Sequence, residues 1–168
     1  MPNLAKPKRK PRKQKIVTPE QLLELSFKDE DEWQEWCINE LQIHGWLVTA
    51  TRRNVHLANG QHCTPTQGDG GYVDLTAARH GRVAFLELKG RDTPLKPHQV
   101  RWLNNLAGVD KSLAWWNADE SDDVPNHVTR GNDSGWDVLV AVVRPRHVEW
   151  FKRELLTDAS MLIPAGYQ

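Results

Sequence analysis

The chain has 168 residues, of which 39% are hydrophobic and 26% are charged, and its formal net charge at pH 7 is zero. This balance is typical of one globular domain with a substantial core, and it argues against an intrinsically disordered chain. No apolar run approaches the roughly 20 residues of a membrane-spanning helix, and the first residues lack the apolar core of a secretory signal, so we expect a cytoplasmic protein without a membrane partner.

Basic residues are concentrated near the N-terminus, where seven Lys and Arg side chains precede the first acidic residue, Glu20. Prolines interrupt this stretch, so residues 1–17 are predicted to form a flexible basic arm. A solvated tail without a ligand is the alternative interpretation. If the arm binds a nucleic-acid backbone, the expected contacts are Lys8, Arg9, Lys10, Arg12 and Lys13.

The first half of the chain shows two helix starts and one strand pattern. Thr18-Pro19-Glu20-Gln21 is typical of a helix start and predicts a short helix to about Leu25. Ser26 is predicted to cap a second helix that ends near Gly45. Residues 46–52 have a strand pattern, whereas residues 54–71 have no periodicity and contain four glycines, which indicates a long loop.

The second half alternates between strands and helices. Its predicted elements are strands over residues 72–78 and 82–89, a helix over 97–107, strands over 112–116 and 137–143, and a closing helix over 145–156. The polar segment 117–135 is predicted to be a mobile insertion loop. The order predicts a mixed α/β domain over residues 18–158, followed by a tail over 159–168.

The two strands on either side of His80-Gly81 place charged residues opposite each other. With these two residues as the turn, Asp74 lies directly opposite Glu87, and Lys89 shares their face because side chains alternate along a strand. A three-residue turn would separate the two acids. The other side chains of that face are Thr76, Ala78, Val83 and Phe85. The opposite face is predicted to carry Val73, Leu75, Ala77, Ala84, Leu86 and Leu88.

Both faces are largely apolar, which indicates central, buried strands. Two facing carboxylates in such a sheet repel each other and are expensive to bury, and a bound Mg²⁺ or Mn²⁺ would remove both costs. Lys89 adds a positive charge that can orient a water molecule or offset charge on phosphate oxygens. This combination is typical of phosphodiester hydrolysis. The alternative is an exposed sheet edge with Lys89 paired to one of the acids.

Four segments occur in an order that is typical of one nuclease family. They are Glu30 with Gln34 on the first helix, Gly71-Tyr72-Val73-Asp74-Leu75, Glu87-Leu88-Lys89, and Gln99 on a later helix. This pattern resembles the VRR-NUC branch of the PD-(D/E)XK nuclease superfamily, found in phage and bacterial proteins and in the Fanconi-associated nuclease. The resemblance runs from about residue 29 to 156, and Val143-Arg144-Pro145 also fits it. Val73 and Lys96 depart from the usual Pro and from the usual Ser or Thr cap.

The resemblance implies a restriction-endonuclease-like core with a mixed central sheet flanked by helices. It also implies an Mg²⁺- or Mn²⁺-dependent endonuclease that hydrolyses duplex or branched DNA by metal-activated water attack, in a bacterial or phage-infected cell. Asp74 and Glu87 would be metal ligands, with the Leu88 carbonyl as a third, and Lys89 would be the catalytic lysine. Gln99 would hold water or phosphate.

Glu30 has two interpretations of equal weight. The resemblance makes it an accessory catalytic acid and a ligand for a second metal, whereas an acidic residue at a helix start is also favourable by itself. Contacts to the DNA backbone on either side of the cut are expected from Arg52, Arg53 and Arg91.

Two other functions remain open from the sequence. One is a homodimeric, structure-specific nuclease that cuts Holliday junctions or flaps. The other is a nucleic-acid-binding module without catalytic activity, which has no need to keep two acids and a lysine buried together.

Overall fold

The computed structural model of the protein describes residues 22, 26–51, 55–56, 62–63, 69–118, 123–131 and 135–157. The predicted basic arm over residues 1–17, the tail over 159–168, and both Arg52 and Arg53 lie outside the described residues. Within the described part of the chain, no helix is long and apolar enough to cross a membrane.

The described residues contain four α-helices and seven strands. The helices are α1 (Glu30–Ile43), α2 (Pro97–Ala107), α3 (Leu113–Asn117) and α4 (Val148–Phe151). A 3₁₀ turn (Pro145–His147) leads into α4, and a π-helical segment (Lys152–Leu156) follows it. The strands are β1 (Leu47–Ala50), β2 (Val55–His56), β3 (His62–Cys63), β4 (Leu75–Arg79), β5 (Arg82–Leu88), β6 (His127–Gly131) and β7 (Asp137–Val143).

Five strands form one mixed sheet in the order β1-β4-β5-β7-β6. The β5–β7 pair is parallel, and the other pairs are antiparallel. The crossover from β5 to β7 contains α2 and α3, as the connection between parallel strands requires. Strands β2 and β3 form a separate two-stranded sheet. The predicted mixed α/β class, with a central mixed sheet flanked by helices, is therefore confirmed.

The predicted register of the central hairpin is also confirmed. Arg79 pairs with Arg82, and Leu75 pairs with Leu86. The two turn residues both have positive φ, 46° at His80 and 78° at Gly81. A two-residue turn with positive φ at both positions matches the twist of antiparallel strands, which explains why this turn fixes the register.

Apolar clusters fill both sides of the sheet. The cluster on the α1 and α4 side includes Trp33, Leu41, Leu86, Trp150 and Phe151. The cluster on the α2 and α3 side includes Val100, Leu103, Trp116, Val140 and Val142. The central strands are thus covered by helices on both faces, as their apolar composition predicted.

The assignment of Val73 to the face of Leu75 is wrong, because Val73 packs in the cluster on the α2 side. Strand β4 begins only at Leu75. The alternation of side chains therefore does not extend back to Val73.

The predicted strand over residues 112–116 is wrong, since Leu113–Asn117 is helical. The Ser112 hydroxyl accepts a hydrogen bond of 3.1 Å from the Trp115 backbone N–H, which is an N-cap contact. Trp116 is 1% exposed. The cap and the burial of Trp116 outweigh the strand preference of two adjacent tryptophans.

The interpretation of residues 117–135 as an insertion loop is wrong for the part that forms β6. This strand lies at the edge of the sheet and pairs only with β7 among the described strands. Residues 129–131 are exposed, so the strand has a polar sequence that resembles a loop.

The predicted cap of the first long helix also shifts, because Asp29, and not Ser26, caps α1 by accepting a 2.9 Å hydrogen bond from Glu32 N–H.

Candidate active site

Asp74 is held at the entrance to β4 by bonds to both neighbouring strands. Its Oδ2 accepts a hydrogen bond of 2.8 Å from the backbone N–H of Leu88. Its backbone carbonyl accepts one of 2.9 Å from Thr51 N–H. The residue is 6% exposed. These contacts place the carboxylate beside the end of β5, where the hairpin register predicted it.

Glu87 is a fully buried carboxylate, 0% exposed, on a strand that has partners on both sides. Its Oε1 lies 2.6 Å from Lys89 Nζ and accepts a hydrogen bond from Gln99 Nε2. Its Oε2 is buried and accepts no hydrogen bond within the described part of the chain. A carboxylate buried to this extent is costly unless positive charge lies next to it.

Lys89 supplies that positive charge directly after the end of β5. It is 5% exposed, and its Nζ lies 3.8 Å from Glu30 Oε1 as well as 2.6 Å from Glu87 Oε1. The salt bridge considered as the alternative is therefore present. It lies on a buried central strand, however, and not on the exposed edge that this alternative assumed.

Gln99 reaches the site from the first turn of α2. Its Oε1 accepts a hydrogen bond of 2.9 Å from the Lys96 backbone N–H, while its Nε2 donates to Glu87 Oε1. Lys96 makes no side-chain cap contact, as its type predicted. Both ends of the Gln99 amide are thus engaged with protein atoms, whereas the sequence predicted that the amide would hold water or phosphate.

Glu30, the first residue of α1, contacts the segment that follows β5. Its Oε2 accepts a hydrogen bond of 3.0 Å from Gly90 N–H, and its Oε1 faces Lys89 at 3.8 Å. Glu30 also lies in the acidic first turn of α1, which the helix dipole favours. The contact to Gly90 was not anticipated by either interpretation of this residue.

Arg144 is a site residue whose contacts the sequence did not reveal, although the Val143-Arg144-Pro145 segment was part of the resemblance. It is 4% exposed, and its Nη1 donates to the carbonyls of Gly90 at 2.8 Å and Thr93 at 2.9 Å. Burial lowers the pKa of Arg144, which nearby Asp92 and Glu30 partly counteract.

His147 supports Arg144 from the 3₁₀ turn. Its Nδ1 accepts a hydrogen bond of 3.1 Å from the Arg144 backbone N–H. Burial is the main cause that lowers the pKa of His147 to about 3, and the positive charges of Arg146 and Arg144 lower it further. The ring is therefore neutral near pH 7.

A cleft of about 790 Å³ opens beside the site, and Glu30, Gly90, Arg91 and Pro145 are among its lining residues. Arg91, for which a contact with DNA backbone was predicted, is exposed. The structure thus brings together five predicted catalytic residues, which are Asp74, Glu87, Lys89, Gln99 and Glu30. Arg91 borders the same region.

The oxygen and nitrogen donors of the site determine which metal it could hold. The described residues contain no group of three or more His, Cys, Asp or Glu side chains arranged to hold a metal ion. Asp74 and Glu87 offer two carboxylates, and the adjacent Leu88 carbonyl would be a third oxygen donor. Such a set does not suit a closed zinc site. It suits Mg²⁺, which is commonly held by one or two carboxylates and otherwise by waters and substrate phosphate.

No protein-family model, curated protein or solved structure matches the chain.

Proposed function

We propose that this protein is an Mg²⁺- or Mn²⁺-dependent endonuclease that hydrolyses DNA phosphodiester bonds, with a PD-(D/E)XK core of the VRR-NUC type. The observation that carries the proposal is that Asp74 binds the backbone N–H of Leu88, the residue between the ion-paired Glu87 and Lys89, at the end of β5. Asp74, Glu87 and Lys89 are all at most 6% exposed. A structural salt bridge needs one acid and one base, whereas a second buried acid adds cost without adding stability.

The cation would be held by Asp74 and Glu87, with the Leu88 carbonyl as the third oxygen. When bound, the cation polarises the phosphate and makes a water molecule a better nucleophile at neutral pH. Mn²⁺ prefers the same oxygen donors. No additional His or Cys ligand is needed for this chemistry.

The protein groups are held in place before substrate arrives. Leu88 N–H fixes one oxygen of Asp74, and Gln99 donates to Oε1 of Glu87. Because these contacts are made by a backbone group and by a side chain whose own oxygen is bonded to Lys96 N–H, little reorganisation is needed during the reaction. Lys89 places an ammonium in the same water-poor site, where it offsets negative charge that develops on the phosphate oxygens.

Cleavage of labelled DNA tests the proposal. Single-stranded, duplex, flap and four-way-junction substrates are incubated with the protein in Mg²⁺, Mn²⁺ or EDTA. We expect cutting that needs the metal and that Asp74→Ala abolishes. The matched control is Asp137→Ala, which removes an exposed carboxylate at the first residue of β7, the opposite end of the sheet.

The substrate that is cut fastest defines the type of nuclease. Preference for flaps or four-way junctions over linear duplex would assign a structure-specific enzyme. Binding of DNA without cutting in any metal would overturn the nuclease proposal in favour of a binding module. Full activity of the Asp74→Ala variant would show that this site does not catalyse the cleavage.

A further inference from the structure

We propose that Arg144 is a positioning residue, which together with Glu30 clamps Gly90 and thereby fixes the backbone that carries Lys89. The inference rests on the proposed nuclease function, in which Lys89 acts on the phosphate. It concerns the segment between β5 and α2.

Lys89 lies at the point where support from the sheet ends. Strand β5 ends at Leu88, and the last sheet-type bond of this segment is the one from Lys89 N–H to the Val143 carbonyl, at 3.0 Å. The next residue, Gly90, has no Cβ and has access to more backbone conformations than any other residue type. Without further contacts, the direction of the chain after Lys89 would be weakly defined.

Glu30 and Arg144 together bind both backbone polar groups of Gly90. Glu30, from the first turn of α1, accepts from its N–H at 3.0 Å. Arg144, which follows β7, donates to its carbonyl at 2.8 Å. Bonds to the two peptide groups of one residue fix the orientation of both peptide planes. The backbone on either side of Gly90 is therefore tied to two different parts of the fold.

Arg144 also closes the loop that follows. The same Nη1 donates to Thr93 O at 2.9 Å. A Cβ added to Gly90 would lie 3.0 Å from Thr93 Oγ1 and 3.6 Å from Glu30 Oε2. A side chain at Gly90 would therefore press on Thr93 Oγ1, in the loop that Arg144 binds, and would lie in van der Waals contact with Glu30.

The two side chains that bind Gly90, Glu30 and Arg144, carry opposite charges that stabilise each other. A buried guanidinium is expensive, and the carboxylates of Glu30 and Asp92 favour its charged form. Glu30 in turn lies 3.8 Å from Lys89 Nζ. Glu30 therefore contacts both Gly90 and the Lys89 ammonium. Replacing Arg144 would shift Lys89 through these contacts, although Arg144 itself does not contact the substrate.

The test compares Arg144→Met with Arg79→Met in single-turnover cleavage, Mn²⁺ titration and DNA titration. Arg79 is the matched control because it also donates to two backbone carbonyls, those of His44 at 2.7 Å and Thr157 at 3.0 Å, and is remote from Lys89 in the sheet. We expect Arg144→Met to cut about 10- to 100-fold more slowly with little change in metal or DNA affinity. Arg79→Met should keep the wild-type rate.

Two further readouts separate positioning from general stability. Hydrogen exchange at the Gly90 amide should be faster in Arg144→Met than in Arg79→Met. Arg144→Lys should recover part of the cleavage rate relative to Arg144→Met, because its ammonium is a charged donor that reaches further toward the Gly90 carbonyl than a Met side chain. If Arg144→Met does not fold, Arg144→Lys is compared with Arg79→Lys, and slower cleavage with faster exchange at Gly90 is expected in Arg144→Lys alone.

Equal rates in Arg144→Met and wild type would overturn the inference, as would equal slowing in Arg144→Met and Arg79→Met. A wild-type protein that cuts nothing would instead overturn the proposed function. In that case the exchange measurement still decides about the clamp, since unchanged Gly90 protection in Arg144→Met would show that it is absent.

Discussion

Glu87 and Lys89 form an ion pair inside the sheet, with a contact of 2.6 Å and almost no exposure to solvent. Taking both charges out of water costs several kcal/mol per ion, which their attraction offsets only in part. An apolar pair would fill the same space at lower cost. The pair is therefore better explained by the proposed chemistry than by stability.

The first prediction concerns Lys89→Met without and with metal. Removal of the ammonium leaves Glu87 buried without its neutralising charge, so the free energy of unfolding should fall by about 3–5 kcal/mol in EDTA. Mn²⁺ should restore stability, because it replaces the missing positive charge, and cleavage should remain lost. Chemical denaturation in EDTA and in Mn²⁺ measures the free energy of unfolding under both conditions. The absence of any Mn²⁺ effect on unfolding would argue against a cation site beside Glu87.

The second prediction concerns the pH dependence caused by His147. Its pKa is about 3 in the folded protein and near 6.5 when exposed. The unfolded state therefore binds one more proton between these values, so stability is lost as the pH falls below 6.5. This group alone contributes a slope of about 1.4 kcal/mol per pH unit.

His147→Asn removes this titration while keeping an acceptor for the Arg144 N–H. Denaturation between pH 7 and 5 should show a shallower loss of stability in the variant than in the wild type. Parallel curves for the two proteins would show that His147 is not held neutral by the fold.

Among the helices and strands, the sequence predicted the features that depend on turn geometry and on the alternation of side chains along a strand. The two-residue turn at His80-Gly81 defines the β4–β5 register, and alternation along β5 then places Glu87 and Lys89 on one face. Strand β6 was missed because an edge strand needs no apolar face. Helix α3 was missed because two adjacent tryptophans favour a strand, and because the burial of Trp116 depends on tertiary packing, although the Ser112 cap itself is a local contact.

The residues of the candidate site were predictable to the same extent. The hairpin register accounts for Glu87, whereas Asp74 precedes β4 and is placed by its contact with Leu88 N–H. The partners of Gln99, Glu30 and Arg144 depend on how α1, α2 and the end of β7 meet around β5. No local pattern reports these contacts, since they join residues that are up to 60 positions apart in the chain.

The third prediction concerns the segment that leads into Asp74. Gly70 O accepts a hydrogen bond of 3.1 Å from Trp102 Nε1, and Gly71, with φ of +92°, packs directly on His98. A Cβ at Gly71 would overlap the His98 ring. Gly71→Ala should therefore combine backbone strain with a steric clash and shift the segment that positions Asp74.

Gly45→Ala is the control, because Gly45 also has positive φ, +80°, but no atom within 4 Å of an added Cβ. It should lose only the strain energy, about 1 kcal/mol, and keep its Mn²⁺ affinity. Gly71→Ala should lose more stability and bind Mn²⁺ more weakly. Denaturation and metal titration measure both quantities, and equal losses in the two variants would exclude the proposed role of this packing.

In the molecule as a whole, the candidate site lies at one end of the sheet. Strands β5 and β7 are parallel, so Glu87 and Arg144 lie at the same end of the sheet, where both strands have their carboxyl ends. The N-termini of α1 and α2 contribute Glu30 and Gln99 to the same end. The sheet thus acts as a rigid support, and helices that cover both of its faces exclude water from the strands that carry the charges.

The most direct test of this account is the single-turnover rate at which the best DNA substrate is cut in Mn²⁺. The proteins to compare are wild type, Asp74→Asn and Asp137→Asn. Asp74→Asn keeps an acceptor for Leu88 N–H but loses the charge that would bind the cation. We expect the cleavage rate to fall by at least about 100-fold in Asp74→Asn and to stay at the wild-type value in Asp137→Asn. A wild-type rate in Asp74→Asn would contradict it.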